Sequence, residues 1–308
     1  MCSSHAIHCF WNKVYGEIVM KRQPARKWIQ LLTTLVYNCH LPGFVSGGIF
    51  KGNTKAACVP GLNCYSCPGA VGSCPIGSLQ AVISGKRHGF SFYVVGVMLF
   101  FGALFGRVIC GFFCPFGLIQ ELLHKIPIPK LNMPSKPDKL LRWLKYAVLI
   151  VFVLLLPTLL VNEFGIGSPY FCKWLCPAGT LEGGIPLLIM NETLRDMLGA
   201  RWYWKLSFTV FLLALSTVFY RPFCKYLCPL GAVYAFFNQV SFFRMKVEDS
   251  KCIHCGKCER SCPMQVDVLK NINSSECIRC GICKDVCPSG AISGGLELLK
   301  HEKKKQAE

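Results

Sequence analysis

The stretch that decides the reading is CIHCGKCERSCP at residues 252–263, followed by CIRCGICKDVCP at residues 277–288. Each copy has the form C-x2-C-x2-C-x3-C-P. A [4Fe–4S] cube needs four thiolates at its corners, and gaps of two residues let one tight loop wrap three of them. The proline after the last cysteine lacks an N–H and turns the chain away. Zinc is the competing reading, because C-x2-C also binds zinc. A doubled spacing in which both copies close on Cys-Pro sets zinc aside.

The stretch resembles the two-cluster bacterial ferredoxins over residues 247–296. In that family the three close cysteines hold one cubane and the fourth holds the other. The resemblance therefore implies one cluster on Cys252, Cys255, Cys258 and Cys287, and a second on Cys277, Cys280, Cys283 and Cys262. His254, inside the first loop, reads as a residue that tunes solvent and hydrogen bonding rather than as a ligand.

Outside this module the composition changes the class. The chain has 308 residues, 52% of them hydrophobic, with a mean hydropathy of +0.40. That is too apolar for an ordinary soluble protein. The net charge of +18 invites a nucleic-acid reading. The basic residues flank apolar runs instead of lining one face, which fits the positive-inside rule, and no nucleic-acid motif is present. Of the 21 cysteines, eight belong to the module and the rest precede it. A secreted disulfide scaffold would not carry long apolar runs, so metal or redox use is expected.

Four apolar runs approach the ~20 residues that a bilayer requires: 28–50, 90–113, 141–161 and 202–220. The first is the weakest, since it contains Asn38, His40 and Pro42. Two shorter runs, 115–126 with Glu121, His124 and Lys125 on one side, and 230–243 with Asn238 and Gln239, read as helices lying at the membrane interface. The expected fold is an α-helical polytopic membrane protein, with four transmembrane helices in two pseudo-repeats, plus a small α+β ferredoxin-like domain. A basic segment (1–27), a transmembrane domain (28–246), the 2[4Fe–4S] module (247–296) and a charged tail (297–308) follow in order. Met20 precedes KRQPARKW, a normal start for an inner-membrane protein, so residues 1–19 are expected to be an over-called start.

Charge sets the orientation. The connection 115–145 carries Lys125, Lys130, Lys136, Lys139, Arg142 and Lys145 against Glu121 and Asp138, whereas 163–201 is acidic on balance. Both termini and the module should therefore be cytoplasmic at the plasma membrane, with Lys86 and Arg87 a minority vote against.

The apolar part repeats. Cys74-Pro-Ile-Gly, Cys114-Pro-Phe-Gly, Cys176-Pro-Ala-Gly and Cys228-Pro-Leu-Gly share one pattern, and Cys110, Cys172 and Cys224 stand four positions before the last three. Cys110 and Cys114 each recur 114 residues later. Two parallel copies, 28–139 and 140–246, are expected, related by an axis along the membrane normal. Cysteines at i and i+4 lie one turn apart on a helix, and the proline opens the next helix. Cys110, Cys114, Cys224 and Cys228 would thus offer four thiolates at the cytoplasmic surface, enough for a third Fe–S cluster. Buried structural cysteines and a redox-active dithiol pair are the alternatives. Cys58, Cys64, Cys67, Cys74, Cys172 and Cys176 fall in the outer connections, where disulfide, cluster and free thiol all stand open.

With these motifs, residues 28–296 resemble the NapH-type membrane subunits of quinol dehydrogenases and the membrane part of NosR-type proteins. The resemblance implies an electron-transfer protein of the membrane, with quinol and a redox partner protein as its partners and Fe–S clusters and quinone as cofactors. The loop 58–74 and the pair Cys172/Cys176 stand outside the expected family pattern. Quinol oxidation would need a proton acceptor, and His40, Glu163 and Glu182 are the candidates by location. Electron export to external thiols or metalloproteins is the alternative function, and a redox-sensing or maturation factor is another.

Overall fold

The computed structural model describes residues 23–85, 91–163 and 167–296. Cys2, Cys9, Met20, Lys86, Arg87 and the tail 297–308 lie outside the described residues, and with them the expectation about the start.

The helical part runs α1 (Pro24–Tyr37), α2 (Pro42–Ser46), α3 (Pro75–Ser84), α4 (Phe92–Phe105), α5 (Val108–Phe112), α6 (Pro115–Leu123), α7 (Ser135–Leu159), α8 (Tyr170–Trp174), α9 (Gly179–Met190), α10 (Glu192–Asp196), α11 (Ala200–Val218), α12 (Pro222–Tyr226) and α13 (Pro229–Phe237). Proline opens α1, α2, α3, α6, α12 and α13. Its missing N–H is one that a first turn leaves unbonded anyway.

Four long helices, α1, α4, α7 and α11, alternate in direction. One end of each meets the C-terminal module. Gln23, ahead of α1, donates to Asp285, and the carbonyl of Phe105 at the end of α4 accepts from Arg279. Arg142, early in α7, donates to the carbonyls of Met264 and Gln265, and Lys225, just beyond α11, donates to Gln265 Oε1. The other ends meet the loops. Asn38 after α1 bonds Asn63, Tyr93 at the start of α4 accepts from the Cys58 N–H, and the carbonyl of Ser84 accepts from Gly167 beyond α7.

The packing is apolar on the outside. Trp28, Leu32 and Val36 on α1, Phe92 and Phe100 on α4, Leu140, Trp143 and Ile150 on α7, and Val210 and Phe211 on α11 are all exposed, while Gln30, Gln80, Gln120, Thr209 and Ser216 are buried. One described helix, α7, is long and apolar enough to cross a membrane. It passes through a π-helical stretch, Leu149–Leu155, ahead of Pro157, whose ring cannot continue the regular ladder.

The other expected spans are shorter or more polar than the sequence suggested. The run 28–50 breaks after Tyr37, because the Asn38 N–H and side chain both turn back onto the last turn of α1. The run 90–113 breaks at Gly106, whose φ of +55° ends α4; a Cβ there would stand 2.9 Å from Asn238 Oδ1. In α11, Arg201, Trp202, Tyr203, Trp204 and Lys205 dilute the hydropathy of 19 residues.

Two further expectations are corrected. The runs 115–126 and 230–243 do not lie along an outer interface. Their helices, α6 and α13, are inserted between the long helices, with Phe116, Gln120 and Glu121 buried on one and Leu230, Ala232 and Tyr234 on the other. Glu121 can be buried because cations from distant segments meet it, as described below. The repeat is visible at the level of elements: α5 and α6 have the same lengths as α12 and α13, 5 and 9 residues, at an offset of 114.

In the module, β1 (Phe243–Val247) pairs antiparallel with β2 (Ile292–Leu296), with Phe243 opposite Leu296 and Val247 opposite Ile292. Short helices α14 (Lys257–Arg260) and α15 (Ile282–Asp285) each follow a cysteine loop. His254 and Gly256 have φ of +50° and +65°, and Arg279 and Gly281 have +51° and +83°. These paired left-handed residues bend both loops alike, so that backbone N–H groups line the concave side. The first loop packs on a small core of Met245, Cys258, Val268, Ile272, Cys283 and Ile292, whereas Met264, Val266 and Ile278 join the core of the helical part.

Candidate metal centres

Cys110 lies mid-way along α5 and Cys224 mid-way along α12, while Cys114 and Cys228 cap the N-termini of α6 and α13. All four are buried. Their thiols are within electrostatic reach of one another. Burial pushes the Cys228 thiol well up, and Cys224, Cys110 and Cys114 push it further. The Cys114 thiol is raised by burial and then by Cys224 and Cys110.

Two arginines cross between the halves. Arg107 Nη2 donates to the carbonyl of Cys224 at 3.2 Å, and Arg221 Nη1 donates to the carbonyl of Cys110 at 2.5 Å. They are 114 residues apart, each three positions before the first cysteine of its own motif. Both are wholly buried, and both leave Nε without a hydrogen-bond partner. Each also meets a carboxylate shared with a second cation. Glu276 pairs with Arg107 at 3.0 Å and Lys145 at 2.5 Å; Glu121 pairs with Arg221 at 2.9 Å and Arg26 at 2.8 Å. Asp138 repeats the arrangement with Lys225 and Arg142. Every one of these buried triads carries a net positive charge. Orphaned donors and excess cations beside four thiols fit a thiolate-ligated cluster, which is anionic.

The module sits directly on this group. A Cβ on Gly111 of α5 would stand 2.6 Å from the carbonyl oxygen of Ile278, so only glycine admits the approach. Asn238, after α13, donates to the carbonyls of Ser274 and Cys277. Cys277, Cys280, Cys283 and Cys262 gather here: the Cys283 thiol is raised by burial and then by Cys280, Cys277 and Cys262. Cys252, Cys255, Cys258 and Cys287 line one pocket on the far side of the module, with exposed His254 at its rim. Among the described residues no three His, Cys, Asp or Glu side chains stand close enough for a single ion.

The described cysteines are all free, so no disulfide links the outer set. Cys64, Cys74, Cys172 and Cys176 come within electrostatic reach of one another, and Cys58 and Cys67 are governed by other neighbours. Of the proton-acceptor candidates, His40 lies against the ring of Phe50, and Glu163 occupies an exposed turn. Only Glu182 sits beside a cysteine: it accepts the Cys64 N–H at 2.7 Å, and burial raises its carboxyl to about 8 against that hydrogen bond.

The 4Fe-4S binding domain family matches residues 88–134, 144–185 and 201–248, and two further 4Fe-4S binding domain families match 244–266 and 270–293. An uncharacterized protein of Methanocaldococcus jannaschii is 32% identical over 176 residues, covering 55% of this chain and 64% of that protein. The regulatory protein NosR of Stutzerimonas stutzeri is 30% identical over 169 residues, 53% of this chain and 21% of NosR. The ferredoxin-type protein NapH of Haemophilus influenzae is 26% identical over 187 residues, 57% of this chain and 53% of NapH. This chain is an iron–sulfur protein of the NapH/NosR type. The matched stretch spans less than two thirds of each of these three relatives. No solved structure matches.

In this NapH/NosR-type chain, segment 144–185 matches the same family as the segments that carry Cys110/Cys114 and Cys224/Cys228. Cys172 and Cys176 lie inside that matched segment. Sequence reading passed over Arg107, Arg221, Gln80 and Gln120. The repeat itself held the signal, since Arg107 and Arg221 share one register and both glutamines stand six positions after a Cys-Pro cysteine.

Proposed function

We propose that this chain is a membrane-embedded electron-transfer protein that passes electrons between the quinol pool and a partner redox protein. Two [4Fe–4S] clusters in the module and a further one on Cys110, Cys114, Cys224 and Cys228 would serve as one-electron carriers. The observation that carries the reading is the buried four-cysteine group flanked by Arg107 and Arg221, with the second module loop seated on it through Gly111 and Ile278. A cofactor group continuous with a ferredoxin module needs only ligands and short gaps.

Crossing of the bilayer by α1, α4, α7 and α11 is supported by their alternating directions and by apolar residues on their outward faces, with polar residues inside. Under this reading the basic connections favour a cytoplasmic module and cytoplasmic termini. Quinol as donor follows from the resemblance to quinol dehydrogenase membrane subunits. Electron export is the second reading, favoured by the gathering of outer thiols around Cys176.

The test is iron and acid-labile sulfide in anaerobically purified protein, compared with a variant bearing serine at Cys110, Cys114, Cys224 and Cys228. A loss of about four iron and four sulfide per chain is expected. Unchanged iron in a folded variant would remove the inner site. Turnover with a reduced quinone analogue separates a carrier from a sensor, which would show little.

A further inference from the structure

We propose that Cys64, Cys74, Cys172 and Cys176 form a further [4Fe–4S] site, at the end of the helical bundle away from the module. It extends the proposed relay, but its ligand set stands on its own geometry.

The outer group repeats the construction of the inner one, hydrogen bond by hydrogen bond. At the inner site Gln120 Nε2 donates to Cys224 Sγ at 3.0 Å, and its Oε1 accepts the Phe223 N–H at 3.2 Å. At the outer site Gln80 Nε2 donates to Cys172 Sγ at 3.3 Å, and its Oε1 accepts the Phe171 N–H at 3.1 Å. Both glutamines are wholly buried. The Gly231 N–H donates to Cys228 Sγ at 3.4 Å, and the Gly179 N–H donates to Cys176 Sγ at 3.4 Å. Helices α5, α8 and α12 each run from two residues before a motif cysteine to two residues after it. A pair of free structural thiols has no need of this shared scaffold.

The two outer motifs interlock. A Cβ on Gly77, three residues after Cys74, would lie 3.9 Å from Cys172 Sγ. A Cβ on Gly183, in the helix that follows Cys176, would lie 3.1 Å from Cys64 Sγ. The Cys176 thiol is raised by burial and then by Cys172, Cys64 and Cys74, and Lys205 opposes this. The fourth ligand is chosen among the loop cysteines by position. Cys64 is the loop cysteine whose Sγ meets Gly183, in the helix that follows Cys176. On ligation the four thiols lose their protons as the Fe–S bonds form.

The test uses the full-length protein, purified anaerobically, with iron, sulfide and zinc analysis and EPR of the dithionite-reduced sample. Cys64→Ser and Cys172→Ser should each lose about four iron with one EPR component, and Cys67→Ser should keep both. The inner-site serine variant should keep the outer component, so the two sites fail separately. Gln80→Leu leaves every ligand in place and should shift the potential of that same component, which covers the case of a cysteine variant that does not fold. Unchanged iron in the folded Cys64 and Cys172 variants overturns the proposal. So does mass loss corresponding to a disulfide among these four cysteines, or zinc in place of iron.

Discussion

Arg221→Met should lower the reduction potential of the inner site by about a tenth of a volt. The residue is wholly buried, and its Nη1 bonds the carbonyl of Cys110. A guanidinium in that position stands roughly 6–8 Å from the centre of a group held by the same cysteine, and at an effective dielectric near 20 its attraction for one added electron is about 2–3 kcal/mol. For a one-electron couple that is about 90–120 mV. The fold should survive, since Glu121 keeps both hydrogen bonds from Arg26. An EPR-monitored redox titration of anaerobic protein reads the shift. The component that moves must be the one missing from the Cys110/Cys114/Cys224/Cys228 serine variant. Arg221→Lys, which keeps the charge, should move it far less. Arg107→Met should reproduce the shift from the opposite half, with Glu276 still held by Lys145. If neither methionine variant moves any component by more than about 20 mV while the iron content holds, the arginines do not face a redox centre and the argument fails.

Gln120→Leu removes the hydrogen bond to Cys224 Sγ and should lower the same potential by on the order of 50 mV, from about 1 kcal/mol per hydrogen bond. Gly111→Val places a side chain where even a Cβ meets the Ile278 carbonyl at 2.6 Å, so limited proteolysis should cut between the helical part and the module faster than in the parent. Glu121→Gln leaves Arg26 and Arg221 without their carboxylate and should destabilise by about 3–5 kcal/mol, read as a lower Tm in detergent. Against the opposing effect of burial, Arg221 and Arg26 hold the Glu121 carboxyl below the usual carboxylate range. Its contribution is therefore complete above about pH 4.3 and is lost as pH falls through the lower folded value; the Tm of Glu121→Gln should lack that acid dependence.

Cysteine spacing made much of this molecule readable in one dimension. The doubled ferredoxin loops and the 114-residue recurrence name the residues that come together at three groups, because thiolate ligands must sit at fixed intervals along a turn. What stayed hidden depends on partners far away in the chain. Glu121 looked like the polar side of an interfacial helix; its counter-ions arrive from Arg26 and Arg221, 95 and 100 residues distant. Asn38 looked like a blemish in a long span, but its hydrogen bonds end the helix outright. Cys64 could not be told from Cys67 by spacing, since the outer motif replaces the four-residue step with a loop. Only the approach of Cys64 to Gly183, in another helix, separates them.

The two ends of the bundle are built alike around cysteines and unlike in charge. At the module end, three buried carboxylates each meet two cations, and Arg279 adds another buried guanidinium against backbone carbonyls and Ser241. A low-dielectric interior tolerates such an excess only beside a counter-charge. Neutral thiols supply none, whereas thiolates bound to iron do, so the cations read as part of the cofactor site and not merely of the scaffold. At the far end the register occupied by Arg107 and Arg221 is held by Pro169; Lys205 acts on Cys176 and Lys55 on Cys64, with the half-buried Glu182 close by. Equal ligands in unequal fields have unequal potentials. If both proposed sites hold clusters, an electron would be held more firmly at the module end, and the difference would come from the surrounding charges, because the proposed thiol ligands are alike.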